Sequence, residues 1–459
     1  MSKDHPFSRR GFVLGSGAAA LVGCQKRPDA QVVDRPGRSN RPLVGCIGAG
    51  SRWSSEIAGQ VMKYADVAAI CDVDGSHRRM ARANVLNHQA KRARNIEVTS
   101  HEDYRAVLDR KDIDVVVICT PEHWHTKILI DAMRAGKDVF CEKPLTLTID
   151  EGKQIIKVLD QTQRIVQVGT QQRSSSMTFL TAIAMIRAGR LGQITNVEIT
   201  IGEAPTCPPL SVRRIPFGLN WEKWLGQAPE ADYVSGPSTD ATRGFVNSRC
   251  HQNFRWWYEY SGGKMTDWGA HHVDIAQWAL DMDHTGPLWV EGTGTFPVPM
   301  KEGHPTVTNR FNTATHFDVT AQFPGGVTMK ILSHSSNDRG ILFTGTKGRI
   351  LVNRNRLVGK PVEQLKDNPL PQDALRQIHG GRPLKGHMQN FMDCVATREQ
   401  PVSNVHSHHR TLTTCHLANI AIRLGRRIHW DAEKQEIVGD EQANSWQTRE
   451  QRKGYEIDV

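Results

Sequence analysis

"RPLVGCIGAGSRW", residues 41–53, decides the fold. A short apolar run, Leu43 to Ile47, meets Gly48-Ala49-Gly50 and then a polar stretch. It reads as a buried strand that turns on a backbone nearly free of Cβ atoms and opens a helix. The pattern repeats downstream. "DVAAICDVD" (66–74), "RNIEV" (94–98), "IDVVVICTP" (113–121), "DVFCEKP" (138–144) and "RIVQVGT" (164–170) read as further buried strands. Helical stretches such as "HEDYRAVLD" (101–109) and "HTKILIDAMRAG" (125–136) lie between them. Strands alternating with helices predict parallel pairing in a doubly wound sheet that closes near residue 169.

The second half keeps another rhythm. "QITNVEITI" (193–201), "HFDVTAQFPGGVTMKILSH" (316–334) and "GTKGRILVNRNRLVG" (345–359) alternate with a period of two. Pro324-Gly325-Gly326 and Thr346-Lys347-Gly348 mark tight turns, so this is antiparallel sheet. Helices are expected near 178–188, 267–280, 386–397 and 404–424. The fold class is therefore α/β: an N-terminal doubly wound parallel sheet plus a C-terminal α/β domain with a large, mainly antiparallel open sheet. The expected division is 1–24 signal, 25–41 linker, 42–169 first domain and 170–459 second domain.

The chain has 459 residues and a formal net charge of +10. Seven Lys/Arg against three Asp/Glu sit in the first forty residues, and no long basic block follows. So diffuse a charge argues against nucleic acid as a partner. Beyond the leader no apolar run nears the ~20 residues needed to span a bilayer. The leader itself, "SRRGFVLGSGAAALVGC" (8–24), resembles a twin-arginine export signal through Arg9 and Arg10. "LVGC" resembles a lipoprotein processing site with Cys24 as the lipidated residue and membrane tether; the other reading is a plain signal cut near Ala18–Ala20. The polar, Pro-containing residues 25–41 suit a tether. Cys46, Cys71, Cys119 and Cys141 lie in or at the ends of strands, where a thiol acts as a small apolar group. No CxxC pair occurs. Reduced core thiols suit a protein that folds first and is then exported by the twin-arginine translocase to the periplasm or another extracytoplasmic space.

Gly48 and Gly50, with Ser51 and Arg52, would let a pyrophosphate approach a helix N-terminus. Trp53 stands where a third glycine is usual, which puts helix–strand packing in question more than phosphate contact. Asp72, about twenty residues on, would bind the adenosine ribose hydroxyls and favours NAD; Arg78 and Arg79 keep NADP open. Two further turns sit at strand ends and should border the cofactor: "TPEHWH" with Thr120, Pro121, His123 and His125, and "EKP" with Glu142 and Lys143.

With these motifs in order, residues 43–169 resemble the Gfo/Idh/MocA oxidoreductase family. "NWEKWLG" (220–226), "WWYEYSGGKMTDWGAHHVDIAQWAL" (256–280), "GTKG" (345–348) and "WDAEKQEIVGDEQAN" (430–444) look like its bacterial exported branch. The resemblance implies a Rossmann nicotinamide-binding domain, then an α/β domain whose open sheet serves a homo-oligomer. It also implies a catalytic Lys143, Asp267 and His271.

Asp267, His271, Asp274 and Trp278 follow at spacings of four, three and four, which on one helix share a face. Oxidising a secondary alcohol sends a hydride to the nicotinamide and a proton to a base. His271 titrates near neutrality and is a natural base. Asp267 would steady it, and Lys143 would stabilise alkoxide charge or share the proton; the base stays open between Lys143 and His271. The plainer reading makes Asp267 a helix cap and His271 a core histidine. A metal site of Asp267, His271, Asp274 and Cys250 or His251 matches no standard spacing, so none is expected. Gln171, Gln172, Arg173, Arg255, Trp257, Tyr258 and His123 are candidates for sugar contacts, His272 a secondary one; each Trp serves equally well as core.

The expected function is an NAD(P)-dependent oxidoreductase acting on a CH–OH group of a sugar, polyol or glycoside, with its cofactor held tightly because an exported enzyme has no nicotinamide pool. The alternative is a redox-neutral NAD-dependent glycosidase using transient oxidation at C3. A further alternative is a non-catalytic carbohydrate-binding protein.

Overall fold

The computed structural model describes residues 41–239, 246–337 and 339–459. Arg9, Arg10, Cys24 and all but the last residue of the expected linker lie outside the described residues.

Six parallel strands form the first sheet: β1 (Leu43–Ile47), β2 (Asp66–Cys71), β3 (Thr99–His101), β4 (Val115–Ile118), β5 (Asp138–Cys141) and β6 (Val166–Val168). Their order is β3-β2-β1-β4-β5-β6. The order reverses between β1 and β4, and a crevice opens there at the strand carboxyl ends. Alternate residues feed two cores. Ile47, Cys71, Ile118 and Cys141 point to one face; Val44, Cys46, Val117 and Phe140 point to the other. Burial on both faces explains why these strands read as unbroken apolar runs.

The third strand is displaced from the expected "RNIEV". Ile96 N donates to Gln89 Oε1 (3.2 Å) and Val98 O accepts from Arg82 Nε (2.7 Å), so side chains satisfy that backbone and the ladder starts at Thr99. The helix expected over 101–109 is one turn, Arg105–Leu108.

The second sheet has nine strands. In spatial order they are Leu357–Val358, Gly348–Val352, Gly340–Gly345, Ile194–Thr200, Thr328–Leu332, His316–Gln322, Trp289–Thr295, Ile428–Asp431 and Glu436–Val438. All pairs are antiparallel except Ile194–Thr200 with Thr328–Leu332, which is parallel. The long excursion from residue 201 to 288 separates those two halves of the sheet, and a parallel pair needs such a connection. Val197, Ile199, Val319, Met329 and Ile331 pack one face against helices Thr181–Arg187, Gly269–Ala279 and Val405–Leu424.

That excursion carries the residues singled out above, and here the expectation of one helical face is corrected. Lys264–Asp267 and Gly269–Ala279 are separate helices broken at Trp268. Gly263 precedes them at φ +68°, and a Cβ there would press on the Thr313 side chain at 2.7 Å, so glycine is required. Every residue of Gly269–Ala279 is buried. His271 faces a cavity, whereas Asp274 points into the core. There Asp274 takes both forks of Arg173 (Nε–Oδ2 2.7 Å, Nη2–Oδ1 2.8 Å) and a bond from Thr411 Oγ1 (3.2 Å). Arg173 also lies 4.6 Å over the Trp278 ring and reaches Asp283 at 3.3 Å. Arg173→Ala should therefore cost about 3–5 kcal/mol of stability, because it strands the buried Asp274 carboxylate. Denaturant unfolding of the full chain checks this; a change below about 1 kcal/mol would refute the structural role.

Candidate active site

A cavity of about 970 Å³ runs along the carboxyl ends of the first sheet. Gly48, Gly50, Ser51, Arg52 and Asp72 line one end, Thr120, Pro121, His125, Glu142 and Lys143 its length, and Gln171, Arg255, Asp267 and His271 the other end. Its size is that of a cofactor or ligand pocket.

At the first end, Gly48 sits at φ +87°, and a Cβ there would lie 2.5 Å from Thr120 N. The β1 and β4 turns approach closely for that reason. Over Gly50 a Cβ would meet only the His77 ring, at 3.5 Å, so the space above the bend is open to a bulky anion. Trp53, standing for the third glycine, is fully buried in the core, and the helix opens with a π turn, Trp53–Ile57. The wide turn fits an indole where a glycine would allow a tight one. Asp72 braces the bend: Oδ2 accepts from Ala49 N (2.7 Å) and Oδ1 from Asp74 N (2.9 Å). Arg78 turns back to donate to Asp72 O, and Arg79 is exposed outside the cavity. The second half closes this end with His251, whose Nε2 lies 3.3 Å from Asp74 Oδ2.

Pro121 caps the helix Glu122–Arg134. His125, in its first turn, sets its ring between Pro144 O (2.7 Å) and Thr120 O (2.9 Å), and as a neutral imidazole it donates to one of these two carbonyls. Burial pulls it down to about 4, so it is neutral at pH 7. Glu142 accepts from Arg52 Nη2 (3.0 Å) and Gln171 Nε2 (3.3 Å), which brings the pyrophosphate-side arginine to the EKP loop.

At the other end Lys143 Nζ lies 2.6 Å from Asp267 Oδ1 and 3.0 Å from Asp267 O. Burial works against the Asp267 charge, but Lys143, then Arg255, hold the carboxyl well below its usual range. Burial, then Lys143 and Arg354, push His271 far down, so it is a neutral imidazole, and its Nδ1 has no protein partner. An ammonium locked to a carboxylate thus faces a neutral base across one cavity.

Five expected contacts do not line this cavity. His123 is buried on Trp224, with Nε2 2.9 Å from Trp224 O, outside this cavity. Arg173 is locked to Asp274 as described. Trp257 is core: its indole donates to Ser248 O (3.2 Å) beneath Arg249. Tyr258 donates to Asn419 Oδ1 (3.3 Å) and faces a second cavity. His272 packs between Trp268 and Phe179. Of the named sugar contacts, Gln171, Gln172 and Arg255 line the cavity.

Glu122, Trp268 and Arg354 are among the cavity residues that the sequence reading did not single out. Glu122 is buried; Oε1 accepts from Ser261 Oγ (2.8 Å) and Oε2 has no partner. Burial raises it to about 8, so at pH 7 it is a neutral acid. Its place between Pro121 and His123 was the available signal, though an acid in a first helical turn is ordinary. Arg354 comes from the distant hairpin of Gly348–Val358, and nothing local marked it.

Comparison with known proteins follows this geometry. The chain is 32% identical over 157 residues to the Alpha-N-acetylgalactosaminidase of Shewanella oneidensis MR-1, covering 34% of each chain. It is 30% identical over 214 residues to a Glycosyl hydrolase family 109 protein of Shewanella baltica OS195, covering 42% of this chain and 46% of that one. The chain thus spans a third to a half of the length of these curated relatives. Among solved structures it is similar in fold to the WlbA dehydrogenase of Bordetella pertussis in complex with NADH and UDP-GlcNAcA (TM-score 0.58, 17% identity, 85% of this chain and 99% of that one). It is likewise similar to the aldose-aldose oxidoreductase of Caulobacter crescentus (TM-score 0.56, 17% identity, the same coverage). The oxidoreductase-family model for the NAD-binding Rossmann fold matches residues 43–170 and that for the C-terminal alpha/beta domain residues 206–457, and the chain belongs to the Gfo/Idh/MocA oxidoreductase family.

Proposed function

We propose that this chain is an NAD(P)-dependent oxidoreductase acting on a CH–OH group of a sugar, polyol or glycoside. One observation carries the reading: the Lys143–Asp267 pair and His271 line one cavity with the Gly48/Gly50 bend. The residues fit a dinucleotide. The bend is open above Gly50, and Thr120 Oγ1 and Arg52 Nε are buried polar atoms without protein partners. Gly48, Gly50, Ser51 and Arg52 would hold the pyrophosphate, and Asp72 the adenosine ribose, which favours NAD over NADP. When bound, the nicotinamide supplies hydride acceptance and return.

The chain's own residues do the rest. Lys143 donates to the reacting oxygen and stabilises charge growing there. Asp267 holds Lys143 Nζ in place through its carboxylate and its carbonyl. His271, a neutral imidazole lining the same cavity, is placed to take the hydroxyl proton.

A redox-neutral glycosidase is the second reading. The local identity to an Alpha-N-acetylgalactosaminidase favours it, and so does Glu122, a neutral acid lining the same cavity that can supply the proton a leaving aglycone needs. A non-catalytic carbohydrate binder leaves the Lys143–Asp267–His271 set without a role.

Export rests on the Arg9-Arg10 leader, and a tether on Cys24. Both call for a cofactor loaded before export and kept. A homo-oligomer through the open second sheet follows from the family resemblance. The purified protein should carry nicotinamide absorbance, and its absence after mild unfolding would overturn the enzymatic reading. Aryl glycosides offered without acceptor decide the rest: released aglycone with no net reduced cofactor identifies the glycosidase, accumulating reduced cofactor the oxidoreductase.

A further inference from the structure

The geometry points to an anionic substrate: a sugar bearing a carboxylate or sulfate, held in the cavity by Arg354, with Arg339 close by over the same Trp268 ring. This rests on the reading of the cavity as a sugar site and names the class of sugar.

Cations converge on one indole. The Trp268 ring centre lies 4.8 Å from Arg354 Cζ, 5.3 Å from Arg339 Cζ and 5.6 Å from Lys264 Nζ. Trp268 sits between Asp267 and His271 and lines the catalytic cavity. Like charges gathered this way repel, and the indole face offsets only part of that. Most of the other cations along the cavity are answered by a carboxylate. Arg52 pairs with Glu142 (3.0 Å), Lys143 with Asp267 (2.6 Å), Arg105 with Asp103 (3.1 Å) and Lys223 with Glu102 (3.4 Å). Arg255 packs over Phe254 and donates to Gln252 O (2.8 Å). Among the described residues, Arg354 and Arg339 have no carboxylate within ion-pair distance; Glu56 and Asp267 act on Arg354 only from farther off.

Arg354 is also aimed. Asn353 Oδ1 accepts from Asn355 N (2.9 Å) and Arg356 N (3.0 Å), a turn that carries Arg354 off the second sheet toward the cavity. With the Gln172 amide set so that its nitrogen donates to His271 O (3.1 Å), its oxygen accepts from Arg354 Nε (3.1 Å). One side chain thereby fixes the guanidinium relative to the histidine, and leaves the two Nη groups for a planar or tetrahedral anion. Carboxylate and sulfate share that chemistry; the dinucleotide's own pyrophosphate is the competing source.

The test uses the full chain as purified, with D-glucuronate, D-galacturonate and N-acetylglucosamine 6-sulfate against D-glucose, D-galactose and N-acetylglucosamine. Binding is read by calorimetry, and bound nicotinamide by absorbance. The acidic sugars should bind about 30-fold or more tightly than their neutral counterparts, the span expected of a charge-assisted pair. In Arg354→Ala that preference should fall to within about threefold, with bound nicotinamide retained. Preference for carboxylate or for sulfate alone selects the source within the proposal. No preference in the parent protein, or one that persists in both Arg354→Ala and Arg339→Ala, overturns it while leaving the oxidoreductase reading intact. Loss of nicotinamide from Arg354→Ala assigns the anion to the dinucleotide and also overturns it. A parent protein that holds no nicotinamide and binds no sugar overturns both.

Discussion

Lys143→Ala should lower turnover by about 10³-fold while the purified protein keeps its nicotinamide. The two effects separate because they come from opposite ends of one cavity. The dinucleotide would rest on the Gly48/Gly50 bend and Asp72, none of which Lys143 touches. What Lys143 touches is Asp267, through Oδ1 at 2.6 Å and the carbonyl at 3.0 Å. Removing the ammonium takes away the donor to the reacting oxygen. It also takes the nearest cation from the half-buried Asp267 carboxylate, leaving Arg255 and Lys264 acting on it, which costs some stability. The loss of activity must therefore be told apart from loss of fold. Lys143→Ala combined with Asp267→Ala removes both charges and should recover most of the stability but none of the turnover. Lys143→Arg should fail as well, since a planar fork in place of a compact ammonium moves the donor off the reacting oxygen. Steady-state kinetics on the substrate found by the glycoside or sugar screen, with denaturant unfolding of each variant, checks this. Turnover of Lys143→Ala within tenfold of the parent would remove Lys143 from the chemistry.

What was legible in the sequence, and what was not, follows from how local each cause is. The first sheet was legible because strands buried on both faces must be apolar along their length, and because the chain alternates strand and helix. Lys143, Asp267 and His271 were named from the family resemblance, and the folded chain brings them to one cavity with the Gly48 bend. The third strand slipped because Gln89 and Arg82, on the preceding helix, take up the backbone of Ile96 and Val98. The parallel pair in the second sheet is set by an excursion whose path no local period records. Trp257 and Tyr258 were offered as sugar platforms, but aromatic density reads the same in a core, and Arg249 and Asn419 hold them there. Arg173 and Asp274 looked like cavity charges because each is polar. Their burial depends on a partner 101 positions away. Arg354 shows the reverse case. A polar hairpin residue looks like solvated surface until the fold sets it beside Trp268.

Acid should unfold this protein over a narrow range below pH 6.5, and the cause is a set of buried neutral histidines. His123, His272, His408 and His416 are pulled down to about 3, and His125, His387 and His409 to about 4; His271 also lies far below its ordinary value. In every one of them burial is the leading cause, and none is more than 7% exposed. The sign follows directly. With the folded value below the unfolded one of about 6.5, the unfolded chain takes up protons first as pH falls. Stability is complete above pH 6.5 and drains as pH drops toward the folded values. At pH 5 each histidine costs up to about 2 kcal/mol, and the set together on the order of 10 kcal/mol, comparable to the whole stability of a typical domain. Glu122, raised to about 8, and Glu151, also raised by burial, act the other way. Their native forms keep protons that the unfolded chain has released, so their contribution grows as pH falls toward about 4.5. Two carboxyls offset only part of eight imidazoles. His408 isolates the effect, because both its ring nitrogens are buried without partners and it lies outside the catalytic cavity. His408→Leu should be nearly neutral at pH 7.5 and stabilising by about 1–2 kcal/mol at pH 5. Thermal unfolding of the full chain between pH 7.5 and 5 should show Tm falling by on the order of 10 °C or more. A Tm that holds level across that range, with His408→Leu indifferent to pH, would mean these imidazoles find protons or partners in the native state that their burial denies them here.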